Sequence, residues 1–121
     1  MTADADDAWD DAPCALHVHD GDGVIRRVNR TWLRWLGFAR AEVEGKLHLH
    51  AVLTPAAREL LRERPAGFTA PGQVDGLELG LLRRDGAGVT ALCSAVASGA
   101  AAALRVHCSL VDISERKQAE Q

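Results

Sequence analysis

At 121 residues the chain is long enough for one domain with a modest core and too short for two. Hydrophobic residues make up 47%, but there are only three Trp, two Phe and no Tyr, so core volume has to come from Leu, Val and a few large rings. The net charge of −3 sits at the front: Asp4, Asp6, Asp7, Asp10 and Asp11 fall in the first twelve residues, which leaves 12 acids against 14 bases and no basic surplus for nucleic acid.

Residues 1–12 read as an acidic lead-in segment, disordered or helical, and its isolated Trp9 suggests a helix that packs back on this domain or on a dimer mate. The segment lacks the basic start and apolar run of a signal peptide, and no stretch reaches the 18 apolar residues of a membrane span. A cytoplasmic setting without membrane contact from this segment is expected. It agrees with three cysteines, Cys14, Cys93 and Cys108, that show no C-x-x-C spacing and read as buried, reduced thiols.

Leu16-His17-Val18-His19 alternates at strand period, Asp20-Gly21-Asp22-Gly23 supplies a turn, and Val24 to Val28 returns as a second strand. Asn29 is a good N-cap for a helix carrying Thr31, Trp32, Trp35 and Leu36, which Gly37 ends. Short helical turns punctuated by Gly45 fill 40–53. Thr54-Pro55 then starts a helix to about Arg64 with Ala57, Leu60 and Leu61 on its apolar side. Pro65 to Gly72 reads as a loop. Three strands follow at roughly 74–84, 89–98 and 103–113, joined by Asp85-Gly86-Ala87-Gly88 and Ser98-Gly99. Ser114 can cap a polar C-terminal helix with Glu115 in its first turn. Two strands, a cluster of short helices and three more strands predict an α+β fold with an antiparallel sheet covered on one face.

Five pieces in this order resemble the PAS family of sensor domains. They are Asp20-Gly21-Asp22-Gly23-Val24-Ile25-Arg26-Arg27-Val28-Asn29, the run from Trp32 to Gly37, Glu42-Val43-Glu44-Gly45-Lys46, Leu82-Arg83-Arg84-Asp85-Gly86, and the exit Asp112-Ile113-Ser114-Glu115-Arg116-Lys117. The resemblance implies a five-stranded antiparallel sheet of order 2-1-5-4-3 with short helices on one face, the domain spanning 13–113 and a connector helix starting over 114–121. It implies a sensory or signal-transfer module, homodimeric, which binds a small ligand or partner and relays its state to a C-terminal effector, a histidine kinase or a cyclic-dinucleotide enzyme. The alternative is a ligand-free dimerisation scaffold. On this reading Leu36, Val43, Leu53, Leu61, Leu79 and Leu92 line the ligand pocket. Asp112, Ser114 and Arg116 form the exit hinge, with Arg116 as the partner of Asp112.

No enzyme constellation is expected, since the chain has no G-x-S-x-G elbow, no H-E-x-x-H and no glycine-rich phosphate loop. Cofactor identity stays open. Flavin photosensors of the family carry a reactive Cys after the Gly45 position, where this chain has Lys46-Leu47-His48-Leu49-His50. Haem-binding members use a His on the long helix, and Ala56 to Arg64 contains none, so flavin adducts and haem are both disfavoured. A thiol-linked chromophore lacks its Tyr partners. His17 and His19 point to one face of their strand, and His107 lies on the last strand, which the family topology sets beside the first. The three imidazoles can share the outer face of the sheet as candidates for a divalent metal, against the plainer reading of semi-exposed polar residues. Trp32, Trp35 and Phe38 read as core filling.

Overall fold

A computed structural model of the protein describes residues 7–63 and 72–115. Its strands are β1 (Ala15–Asp20), β2 (Ile25–Val28), β3 (Gly72–Leu82), β4 (Gly88–Ser98) and β5 (Arg105–Asp112). They form one antiparallel sheet of spatial order β2-β1-β5-β4-β3, as expected. Between β2 and β3 lie α1 (Arg30–Leu36), α2 (Arg40–Val43), a 3-10 turn (Leu49–Val52) and α3 (Pro55–Glu63). Of the expected loop from Pro65 to Gly72, Gly72 opens β3 and 65–71 lie outside the described residues, as do the lead-in residues 1–6 and the connector from Arg116 onward.

Local chemistry sets each boundary. Asn29 caps α1 by accepting the Trp32 amide, and Gly37 closes it in the left-handed region at φ 84, where its N–H reaches the Leu33 carbonyl. Gly45 takes a positive φ of 76 in the turn after α2. Thr54 Oγ1 accepts the Ala57 amide at 3.2 Å at the start of α3. Ala57 and Leu61 of that helix are buried, one turn apart, while Leu60 is exposed, so the apolar side of α3 is narrower than expected. The amides that Ser114 is expected to cap lie outside the described residues. Ser114 itself is helical, and its hydroxyl accepts the Thr90 amide of β4 at 2.9 Å.

One hydrophobic cluster fills the space between sheet and helices. Ile25, Val28, Trp32, Leu36, Val43, Val52 and Leu53 come from the β2–helix side; Leu79, Leu81, Ala91, Cys93, Ala95, Val106, Cys108 and Leu110 come from the sheet. Alternation along β5 sends Val106, Cys108 and Leu110 inward and His107 and Ser109 outward. Two isolated bridges, Val24 with His48 and Leu53 with Leu81, tie the helical layer to the sheet edges.

The described part of the acidic lead-in, residues 7–12, packs back on this domain. Residues 7–10 are helical, and the Trp9 ring carries the Arg27 guanidinium at 4.4 Å from its centroid. Arg40 pairs with Asp10 at 2.9 Å, and Arg30 pairs with Asp11. Asn29 anchors the segment from beneath, donating from Nδ2 to the Trp9 and Cys14 carbonyls at 2.9 and 3.0 Å. Its Oδ1 accepts the Leu16 amide as well as that of Trp32, so this buried side chain uses all of its ordinary hydrogen-bonding capacity.

Candidate functional site

The register of β1 against its neighbours decides what enters the chamber between sheet and helices. His17 lies opposite Cys108 on β5 and Val28 on β2; His19 lies opposite Val106 and Ile25. All of those partners face inward, so both histidines do too, and they are 2% and 0% exposed. Val18 pairs with His107, and both belong to the outer face. The expected grouping of His17, His19 and His107 on the outer face is therefore overturned: the first two are core residues, and His107 is exposed on the opposite side of the sheet.

Inside the chamber His17 Nε2 lies 3.2 Å from His19 Nδ1, with the rings stacked at 5.3 Å. Trp32 meets the His17 ring edge-on, at 6.3 Å and 75°. Donor atoms of His17, His19 and Cys108 all lie within 4.8 Å of one another. Cys93, on the adjacent strand β4, faces inward as a neighbour of the Cys108 thiol. Two buried nitrogens of this cluster, His17 Nδ1 and Trp32 Nε1, have no hydrogen-bond partner among the described residues. Burial, reinforced by the neighbouring His19, pushes the His17 imidazole down to about 3, so it is neutral across the physiological range. The neighbouring Cys93 thiol, followed by burial, pushes the Cys108 thiol upward.

Of the residues expected to line a pocket, Leu36, Val43, Leu53, Leu61 and Leu79 lie together in the inner cluster. Leu92 does not. It pairs with Glu78 and Val111 on the outer face, because Ala91 and Cys93 take the inward positions of β4. The residues that sequence reasoning missed are Cys108 and Cys93 as neighbours of the imidazoles. The alternation of Val106, Cys108 and Leu110 already marks an inward thiol, but only the β1–β5 register reveals what stands opposite it.

At the exit, the Asp112 carboxylate is used twice. Oδ1 accepts the Ser114 amide at 2.9 Å, and Oδ2 accepts the Trp35 indole N–H at 3.0 Å. The Ile113 amide donates to the Thr90 carbonyl at 2.9 Å, next to the Thr90–Ser114 bond. Asp112 and Ser114 thus meet as expected, Arg116 lies outside the described residues, and Trp35 is a partner 77 positions away that no local pattern announces. A groove of about 330 Å³ beside the exit is lined by Pro13, Cys14, Ala15, Thr31, Trp35, Leu110, Val111 and Asp112. Here the end of β5, helix α1 and the lead-in segment converge.

A family model described as PAS fold matches residues 9–118. No curated protein gives a significant match. Among solved structures, the PAS domain of an HTR-like protein from Haloarcula marismortui aligns with a TM-score of 0.78 at 21% identity, covering 93% of this chain and 91% of that one. A PAS domain from Colwellia psychrerythraea gives 0.79 at 20% identity, with 95% and 98% covered. A domain of a sensory box sensor histidine kinase/response regulator from Geobacter sulfurreducens gives 0.67 at 15%, with 89% and 91% covered. At these identities the structural likeness is one of fold.

Proposed function

The chain belongs to the PAS-fold family, and on that footing we propose that it is a non-catalytic sensory module whose chamber state is relayed to a C-terminal effector. The observation that carries the reading is the double use of Asp112. Through Trp35 the carboxylate holds helix α1, which roofs the chamber with Trp32 and Leu36; through the Ser114 amide it holds the first turn of the outgoing helix. A displacement of α1 is thereby passed to the exit without crossing the whole core. The Thr90–Ser114 bond supplies the fixed point on the sheet against which the exit turns.

The effector in this reading is a histidine kinase or a cyclic-dinucleotide enzyme, and the module works in the cytoplasm as a homodimer. A sensor histidine kinase among the structural neighbours supports the first effector class. Among the described residues no helix is long and apolar enough to cross a membrane. Val96 and Val111, 50% and 47% exposed on the outer face of the sheet, favour a partner surface there. They also support the second reading, a ligand-free dimerisation scaffold, which needs only that surface.

The two readings separate on one variant. Asp112→Ala in the full-length protein removes both exit contacts while leaving the chamber intact. The sensory reading expects an output assay of the effector to lose its response, with the isolated domain keeping its thermal midpoint within a few degrees. A variant that signals like the wild type, or that unfolds, rules out the relay role.

A further inference from the structure

The inner face of the β1–β5 pair holds an unusual donor set for a small core, two imidazoles and a thiol with no carboxylate in the cluster, and the next strand, β4, adds the inward thiol of Cys93. Strand period places His17 and His19 on one side of β1, and the ladder sets Cys108 directly opposite His17. The 3.2 Å between His17 Nε2 and His19 Nδ1 is close to the ~3.3 Å that separates two nitrogens bound tetrahedrally at about 2.0–2.1 Å from one ion. The sulfur of Cys108 falls within the same 4.8 Å cluster, so side-chain rotation on the fixed β1–β5 ladder is enough to complete three ligands.

We propose that His17, His19 and Cys108 bind a thiophilic d10 metal ion inside the chamber, copper(I) through these three residues or zinc(II) with Cys93 as the fourth. The two nitrogens that would hold the ion meet only each other as the cluster stands, in the 3.2 Å contact between His17 Nε2 and His19 Nδ1, and the other ring nitrogen of the buried His17 has no hydrogen-bond partner among the described residues. Charge selects the ions. A buried site tolerates little net charge, and one thiolate neutralises copper(I) whereas zinc(II) needs two. Nitrogen and sulfur donors without carboxylates favour these ions over magnesium, calcium or manganese. Each thiol that becomes a ligand releases one proton to solvent, and no electron transfer is involved. The inference deepens the sensory reading, since it names the chemical class of the signal, but binding itself does not depend on the relay.

The test uses the whole chain, reduced, stripped with a chelator and kept anaerobic. Copper(I) is offered from a chromophoric chelator in one arm and zinc(II) in the other, with native mass spectrometry and a thermal melt as readouts. One ion per chain and a raised midpoint are expected in at least one arm. Cys108→Ser and His17→Gln are each expected to weaken uptake more than tenfold, whereas His107→Gln leaves it unchanged. Cys93→Ser is expected to abolish zinc binding and spare copper(I). Because a core variant can fail to fold, cobalt(II) added to the unaltered chain serves as a second probe, and a thiolate-to-cobalt charge-transfer band is expected. Failure of both ions to bind one-to-one, uptake that survives Cys108→Ser, or cobalt bound without that band overturns the proposal. Asp112→Ala distinguishes this from failure of the relay: a variant that still takes up the ion and signals normally sinks the relay and leaves the metal site standing.

Discussion

Within the β1–β5 pair the two strands sort their side chains in opposite senses: β5 is apolar inside and polar outside, whereas β1 is the reverse. His17 and His19 are buried against Trp32 and Cys108, whereas Leu16 and Val18 lie on the outer face with His107 and Ser109. Polarity within β1 therefore did not choose the face. The choice was made by its neighbours: Ile25 and Val28 on β2, and Val106, Cys108 and Leu110 on β5, must all meet the helices, and register carries the odd positions of β1 in with them. The outer face compensates. Trp9 closes over it, stacking on Arg27 and lining a hollow with Leu16, Val96 and His107.

The contrast breaks most visibly under truncation. Trp32→Ala removes the largest fully buried side chain and leaves a void in contact with His17 and Phe38. A loss of about 3–5 kcal/mol in urea unfolding is expected. Val96→Ala, at the exposed outer position, is expected to change stability by no more than about 0.5 kcal/mol. A cost for Val96 comparable to that of Trp32 would mean that the outer face is itself a packed interface.

Acid titration of the metal-free protein sharpens the same contrast. The unfolded chain protonates His17 near its ordinary 6.5, whereas the folded chain holds it neutral down to about 3. Between those values the unfolded state binds more protons, so stability falls as pH falls, with a slope approaching ~1.4 kcal/mol per pH unit from this group. His17→Leu is expected to remove that slope between pH 6 and 4, and His107→Leu to leave it in place. Chemical denaturation at stepped pH measures both. Equal slopes in the wild type and His17→Leu would show that the buried imidazole does not drive acid unfolding.

The order of elements was legible because each is announced locally. Asn29 caps, Gly37 and Gly45 stop, Thr54-Pro55 starts, and period-two runs mark the strands. The identity of the faces was not. Leu92 and Cys93 are adjacent apolar residues on β4, and hydrophobicity alone favours the larger one for the core. The ladder places Cys93 between inward Ala91 and Ala95 and turns Leu92 toward Glu78 and Val111. The histidines were misplaced for the same reason: a strand alternating His with apolar residues fits either face until its partners are known. Asp112 stands at the end of β5, where the sequence offers Arg116 four positions on as a partner, but the fold brings in the Trp35 indole from α1.

That indole supplies the smallest effect and the finest test. Trp35 is only half-buried, so Trp35→Phe keeps the ring's packing and deletes the N–H that Asp112 Oδ2 accepts. A single charge-assisted bond at an accessible site is expected to contribute about 1 kcal/mol or less, well below the core truncation. Asp112→Asn keeps the size of the side chain and weakens the same bond. If the bond is the route from α1 to the exit, the double variant destabilises less than the sum of the two singles, and either single variant decouples effector output despite its small thermodynamic cost. Additive stabilities together with intact output would confine Asp112 to its contact with the Ser114 amide. In that case the inner chamber would have to reach the exit through β5 itself, along the Cys108–Leu110–Asp112 side of the strand.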